Sequence, residues 1–178
     1  MKEKHYIKKV LNNNVVFSKN KDGKDIILTG LGLGFQKKKG DIIVTSLVDK
    51  VFHLKTEESK ENFLALLKDV PLDFITVTYD VIDKLTLKYN YPVQDYLYVT
   101  LTDHIYCAYQ SIQTGNYQSS KLPDVSNEYP IEYQIGEEAL SIFKSKLFDG
   151  FPEDELGRIA IHFINAKREG EVTPSFQI

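Results

Sequence analysis

One cysteine, Cys107, stands in 178 residues, so no internal disulfide can form and the fold depends on a packed core. Long apolar runs are missing too. None approaches the roughly 18 residues of a spanning helix, or the shorter apolar core of a signal peptide, so no membrane insertion is expected and the chain reads as a soluble cytoplasmic protein or a domain facing the cytosol. Neither an internal repeat nor a low-complexity tract interrupts the chain. Nucleotide signatures are also lacking. The stretch "TGLGLGFQKKKG" fits neither the Rossmann fingerprint nor the P-loop, and no helix is indicated after it. No serine or cysteine nucleophile sits in a recognisable setting, and no carboxylate pair stands out from ordinary surface. The expectation is therefore a protein without enzymatic activity, cofactor or metal.

What is present is enough apolar material for a core and a divided charge. Hydrophobic residues make up 42% and aromatic residues 12%, which suits one large or two small domains. The net charge of −3 hides an asymmetry: residues 1–55 hold 12 Lys against 5 acids, or +7, and the remainder holds 10 Lys and Arg against 20 acids, or −10. A split of this kind points to a first part that meets a polyanion and a second part that does something else. Lysine also guards sheet edges and keeps proteins soluble, so charge alone does not decide the matter.

Periodicity divides the chain at the same place. "YIKKVL", "VVFSK", "DIILTG", "DIIV" and "VDKVFHL" read as short strands, with turns at "KNKDGKD" and "KKKGD". From Glu57 onward apolar residues recur at helical spacing, as in Phe63, Leu64, Leu66 and Leu67, then Phe74, Val77, Val81, Ile82 and Leu85. Further helices are predicted at about 96–114, 135–148 and 152–168, and a long loop at Thr114–Pro130. The fold class is a multidomain one, β then all-α. A first domain over 1–56 is followed by a linker over 57–64 and a helical domain over 65–178.

Two short stretches stand out chemically. "VLNNNVVFS" places Asn12, Asn13 and Asn14 between apolar runs, although strands normally exclude asparagine. A hairpin turn accounts for one or two of them, whereas a tight primed turn needs only two central residues and usually has Gly at the second. The surplus amides offer both donors and acceptors for polar edges of a partner. In the second stretch, Gly30, Gly32 and Gly34 permit a bulge or a close backbone approach. Phe35 and Gln36 follow, an aromatic face and an amide suited to stacking a base and bonding its edge, although an isolated Phe is more often core.

Together "IKKVLNNNVV" and "GLGLGFQKKKGD" resemble the RNA-binding domain of bacterial sugar-operon antiterminators of the BglG/SacY/LicT type, and "LTDHIYCAY" with "FPEDELGRIAIHFINA" resembles the two histidine motifs of that family's first PTS regulation domain. The family ordinarily carries a second such module, and this sequence ends at Ile178, just beyond "HFINAKREGEV". The resemblance implies a homodimeric four-stranded antiparallel sheet that grips an RNA hairpin and stops a terminator from forming ahead of a sugar-utilisation operon. Carried over residue by residue, the RNA-contacting positions are Lys9, Asn12, Asn14, Gly30, Phe35 and Gln36. Many relatives have Lys or Arg between the first two glycines, and Leu31 stands there in this chain, a departure that leaves the phosphate contact at this position outside what the resemblance implies.

Histidine is the other informative residue type. Read from the sequence alone, His104 and His162 are half-buried core histidines. A relay from Asp103 to His104 is weak, because adjacent helical residues point in different directions, and a metal site would have to recruit unspecific carboxylates such as Glu153 or Asp154. The resemblance instead implies that both histidines accept phosphoryl groups from phosphotransferase-system proteins, a sugar-specific EIIB or HPr. His5 and His53 match no motif. A phosphoryl group brings up to about two negative charges to a neutral ring, enough to rearrange a dimer interface. Two other classes stay open: a phosphotransfer enzyme using phosphohistidine, and a sequence-tolerant single-strand binder.

Overall fold

Apolar residues in the first third of the chain pair into one antiparallel sheet, the first of two units, Met1–Asn62 and Phe63–Ile178, in a computed structural model that describes residues 5–119 and 122–168. Its strands are β1 (Lys9–Asn12), β2 (Val15–Lys19), β3 (Asp25–Thr29) and β4 (Lys50–His53), in the order β1-β2-β3-β4. Each turn is explained by its residues. At the β2–β3 hairpin, Asn20 Oδ1 accepts from the backbone N–H of Asp22 at 2.9 Å and of Lys24 at 3.0 Å, while Gly23 takes φ +78°.

Strand pairing places Val16 opposite Leu28 and Phe17 opposite Ile27, which faces Phe52 in turn. One face packs Val16, Ile26 and Leu28 with Ile7, Leu33 and Ile43. The other face buries Val15, Phe17, Ile27 and Phe52. Each such burial stabilises by about 1.5–3 kcal/mol, which is how so short a sheet holds. Lys60 adds to this unit, its ammonium lying 4.8 Å from the Phe17 ring centroid and 3.2 Å from Asp25 Oδ2.

One expected strand is largely absent. "DIIV" contributes a single bridge, Ile42 to Tyr6, before the chain tightens into a 3-10 turn at Thr45–Leu47. Its backbone is still tied down, since Ile7 N–H donates to Asp41 O and Ile43 N–H to His5 O, both at 2.8 Å.

Five helices follow: α1 (Glu57–Asp69), α2 (Leu72–Lys88), α3 (Tyr96–Gln113), α4 (Pro130–Lys146) and α5 (Asp154–Ala166). Residues 57–64, read from sequence as a linker, are the opening turns of α1. The start signal is Thr56, whose Oγ1 accepts from Ser59 N–H at 3.0 Å, followed by Glu57 and Glu58 in the first turn. Likewise α4 begins at Pro130 rather than at 135, because a proline in the first turn lacks only an N–H that would have had no partner.

The helical core is built from Phe63, Ile75, Ile82, Leu85, Leu97, Leu101, Ile105, Phe143, Ile159 and Phe163. Helices α4 and α5 approach closely at Gly136, where a Cβ would come within 2.7 Å of the Leu156 carbonyl oxygen. Among the described residues no helix is long and apolar enough to cross a membrane.

Candidate functional site

The three asparagines turn out to be a turn and a clasp at once. Asn13 and Asn14 are the two residues between β1 and β2, and neither takes positive φ, so the turn is not a primed one. The ladder instead shifts register between Val10 and Asn12. Asn12 Oδ1 accepts from Asn14 N–H at 2.8 Å. Asn14 Oδ1 then accepts from Gly32 N–H at 2.8 Å, and the carbonyls of Asn14 and Asn13 accept from Gly30 N–H at 2.9 Å and Gly34 N–H at 2.8 Å. The hairpin thus holds the glycine loop along its backbone.

Each glycine answers a steric demand. A Cβ at Gly30 would lie 1.8 Å from Leu47 O and one at Gly34 would lie 2.5 Å from Asn12 O, while Gly32 takes φ +74°. Side chains along the loop alternate. Leu33 is buried in the sheet core, while Leu31 and Phe35 are 86% and 55% exposed. Phe35 is therefore outside the core. Gln36, also exposed, takes φ 57°, rare for a residue with a side chain.

Four of the six expected contact positions, Asn12, Asn14, Gly30 and Gly34's neighbour Phe35, share this clasp or its rim, and Gln36 ends it. Lys9 lies apart, exposed on β1 opposite Phe17. Beside it, Lys8 is held below the usual lysine range by desolvation and then by neighbouring Lys19. With one lone pair of each oxygen engaged, the –NH₂ groups of Asn12 and Asn14 make no hydrogen bond among the described residues.

A second constellation lies in the helical unit. His104 on α3 and His162 on α5 bring their rings to 4.8 Å between centroids, with planes at 50°. The partner of His104 is Glu155 rather than Asp103: its Oε1 is 2.7 Å from His104 Nε2. Glu155 is fully buried in the first turn of α5, and its Oε2 accepts from Tyr117 Oη at 2.6 Å and from Arg158 at 3.3 Å. Arg158 is itself anchored by the Gln118 carbonyl at 2.8 Å and lies over the Tyr117 ring, 5.2 Å from its centroid.

Charge follows this geometry. Burial pushes the Glu155 carboxyl up, but the His104 hydrogen bond and charge, Tyr117 and Arg158 outweigh it and hold it below the usual range. His162 is pushed down to about 4 by burial and then by His104, so its ring is neutral at pH 7. Asp103 is pushed up by burial and by Asp69. Among the described residues no group of three or more His, Cys, Asp or Glu could hold a metal ion.

Sequence reasoning missed Glu155, Tyr117 and Arg158. The helical pair Glu155 and Arg158, three residues apart, was visible as a signal, whereas Tyr117 sits in the loop after α3 and gave none. His53 is exposed on β4, remote in sequence from this network.

Known proteins share both units. Residues 5–61 match the family described as CAT RNA binding domain, and residues 79–166 that described as PRD domain. The transcription antiterminator LacT of Lacticaseibacillus casei is 41% identical over 93% of this chain and 56% of its own length. The transcription antiterminator LicT of Bacillus subtilis (strain 168) is 39% identical over 93% of this chain and 60% of its own. The crystal structure of GlcT CAT-PRDI matches with a TM-score of 0.71 and 33% identity, covering 94% of this chain and all of that one. An RNA-binding-type sheet followed by a PRD defines the class. The chain belongs to the BglG/SacY/LicT-type antiterminator family, and it spans less than two thirds of the length of the curated relatives LacT and LicT.

Proposed function

We propose that this chain is a cytoplasmic, non-enzymatic antiterminator that acts as a homodimer. Its sheet binds a leader-RNA hairpin, which keeps a terminator from forming in a sugar-utilisation operon. The observation that carries this reading is the clasp of Asn12–Asn14 on the glycine loop. It is a rigid platform with unused amide donors, an exposed Phe35 for stacking and exposed lysines nearby, within a segment that matches a CAT RNA binding domain. Fixed donors and an aromatic face suit splayed bases in the internal loops of a hairpin, and lysines supply the salt-dependent part.

His104 and His162 are read as phosphoryl acceptors for phosphotransferase-system proteins, EIIB or HPr, with the added charge biasing the dimer. Their ring contact and the built environment around His104 support this. The decisive experiment is a gel shift with the leader RNA of the neighbouring operon against a scrambled hairpin, repeated after phosphorylation. Preference for the leader hairpin is expected, with labelling at His104 and His162 and none at His5 or His53. Equal affinity for both RNAs would overturn the antiterminator reading in favour of a sequence-tolerant binder.

A further inference from the structure

A histidine has two ring nitrogens, and the chemistry of an acceptor depends on which one is engaged. Nε2 of His104 lies 2.7 Å from an oxygen of Glu155, a carboxylate with no exposed surface whose other oxygen is held by Tyr117 and Arg158. An ionised carboxylate only accepts hydrogen bonds, so Nε2 must carry the proton. When the ring is neutral, its lone pair is therefore on Nδ1, which makes no hydrogen bond among the described residues. His104 keeps 22% of its side-chain surface exposed, while Glu155 has none. The ring is thus partly open to solvent, while the carboxylate that holds Nε2 is not.

We infer that His104 takes its phosphoryl group on Nδ1, with Glu155 as the positioning residue that reserves Nε2 for hydrogen bonding. The inference rests on the reading of His104 as an acceptor, and it fixes the atom. In the transfer, the Nδ1 lone pair forms the nitrogen–phosphorus bond. The bond from phosphorus to the donor breaks, and its electron pair leaves on the donor, on the sulfur of a phosphocysteine or the ring nitrogen of a phosphohistidine. Nothing is oxidised or reduced. The ring, substituted at Nδ1 and still protonated at Nε2, becomes cationic, and the adjacent Glu155 carboxylate stabilises that charge as it develops.

Tyr117 and Arg158 hold the carboxylate in place, which is how one buried residue can dictate a tautomer. His162 contacts the same ring but makes no hydrogen bond among the described residues, so the structure sets no tautomer for it.

Two measurements on the whole chain test this. Long-range proton–nitrogen NMR on the 15N-labelled, unphosphorylated protein should show His104 as the Nε2–H tautomer. Treatment with phosphorylated HPr, and separately with potassium phosphoramidate as a protein-free donor, should then give 31P–15N coupling to Nδ1. Glu155→Gln, which no longer fixes the tautomer, should slow labelling at least about tenfold and yield a mixture of ring isomers. If that variant does not fold, the unsubstituted protein decides. An Nδ1–H tautomer, or a phosphoryl group on Nε2, overturns the inference and leaves His104 an acceptor. No label on His104 from either donor overturns the acceptor reading and the inference with it.

Discussion

Asn14 spends its carboxamide oxygen on the fold and, in the proposed reading, offers its –NH₂ to RNA, and substitutions can separate the two roles. Asn14→Asp keeps the acceptor for Gly32 N–H while replacing the donor with negative charge. The expected outcome is a near-native melting temperature with RNA affinity reduced at least about tenfold, since one partner of a polar contact to a polyanion is inverted. Asn14→Ala loses both roles, costing about 1 kcal/mol of stability and weakening binding further. Phe35→Ala lies outside the core, so it should leave stability within about 0.5 kcal/mol while reducing affinity by about 1–3 kcal/mol. Circular-dichroism melts beside gel shifts measure both quantities.

His162 supplies a pH dependence with a defined sign. In the folded protein its pKa is pushed down to about 4, from an ordinary value of 6.5, so between those pH values the unfolded chain binds a proton that the native one does not. Stability should therefore fall as pH drops through that window, by about 1–2 kcal/mol once the screening of a half-buried ring is allowed for. Glu155, held below its ordinary range, adds its own loss at lower pH, as the pH falls through its folded pKa. Denaturant midpoints from pH 7 to 4 should show the acid limb, and His162→Gln should flatten its upper part.

Among the elements, strands β2 and β3 and helices α2 and α3 were legible in sequence because each carries its own period and its own boundary residues. The start of α1 was read two ways, as helical pattern from Glu57 and as linker over 57–64, since Thr56 and the polar turn after it contain no apolar stripe, and α4 began earlier than its pattern because Pro130 reads as a breaker before it reads as a first-turn residue. At the site, the asparagines and histidines were visible as residue types. Their partners were not, because the bonds from Asn14 to Gly32 and from His104 to Glu155 join segments 18 and 51 residues apart, and no local period reports such pairs. Close helix packing belongs to the same scale. Gly136→Ala should force α4 from α5 by a few tenths of an ångström or more, and a loss of about 1–3 kcal/mol in chemical denaturation is expected.

At the scale of the molecule, the boundary between units falls after Asn62, which matters for isolating the part that matches a CAT RNA binding domain. A fragment ending at residue 56 omits Lys60, and with it the contact over Phe17 and the pair with Asp25. A fragment of residues 1–62 should be more stable than one of 1–56 by about 1 kcal/mol, the combined scale of a cation–π contact and a part-buried ion pair. Comparison of their urea midpoints checks this. Lys9→Ala in either fragment should lower RNA affinity and reduce the salt slope by about one charge.

The clasp also sets how this surface can change over generations. Gly30 and Gly34 cannot vary without disturbing the loop, and Asn12 and Asn14 must keep an acceptor oxygen to hold it, whereas Leu31 and Phe35 are exposed and carry no side-chain bond of the scaffold. In the proposed reading, drift toward a new RNA is channelled through the exposed positions around the clasp, Lys9, Leu31, Phe35 and Gln36, while the clasp itself acts as grammar that every variant must keep.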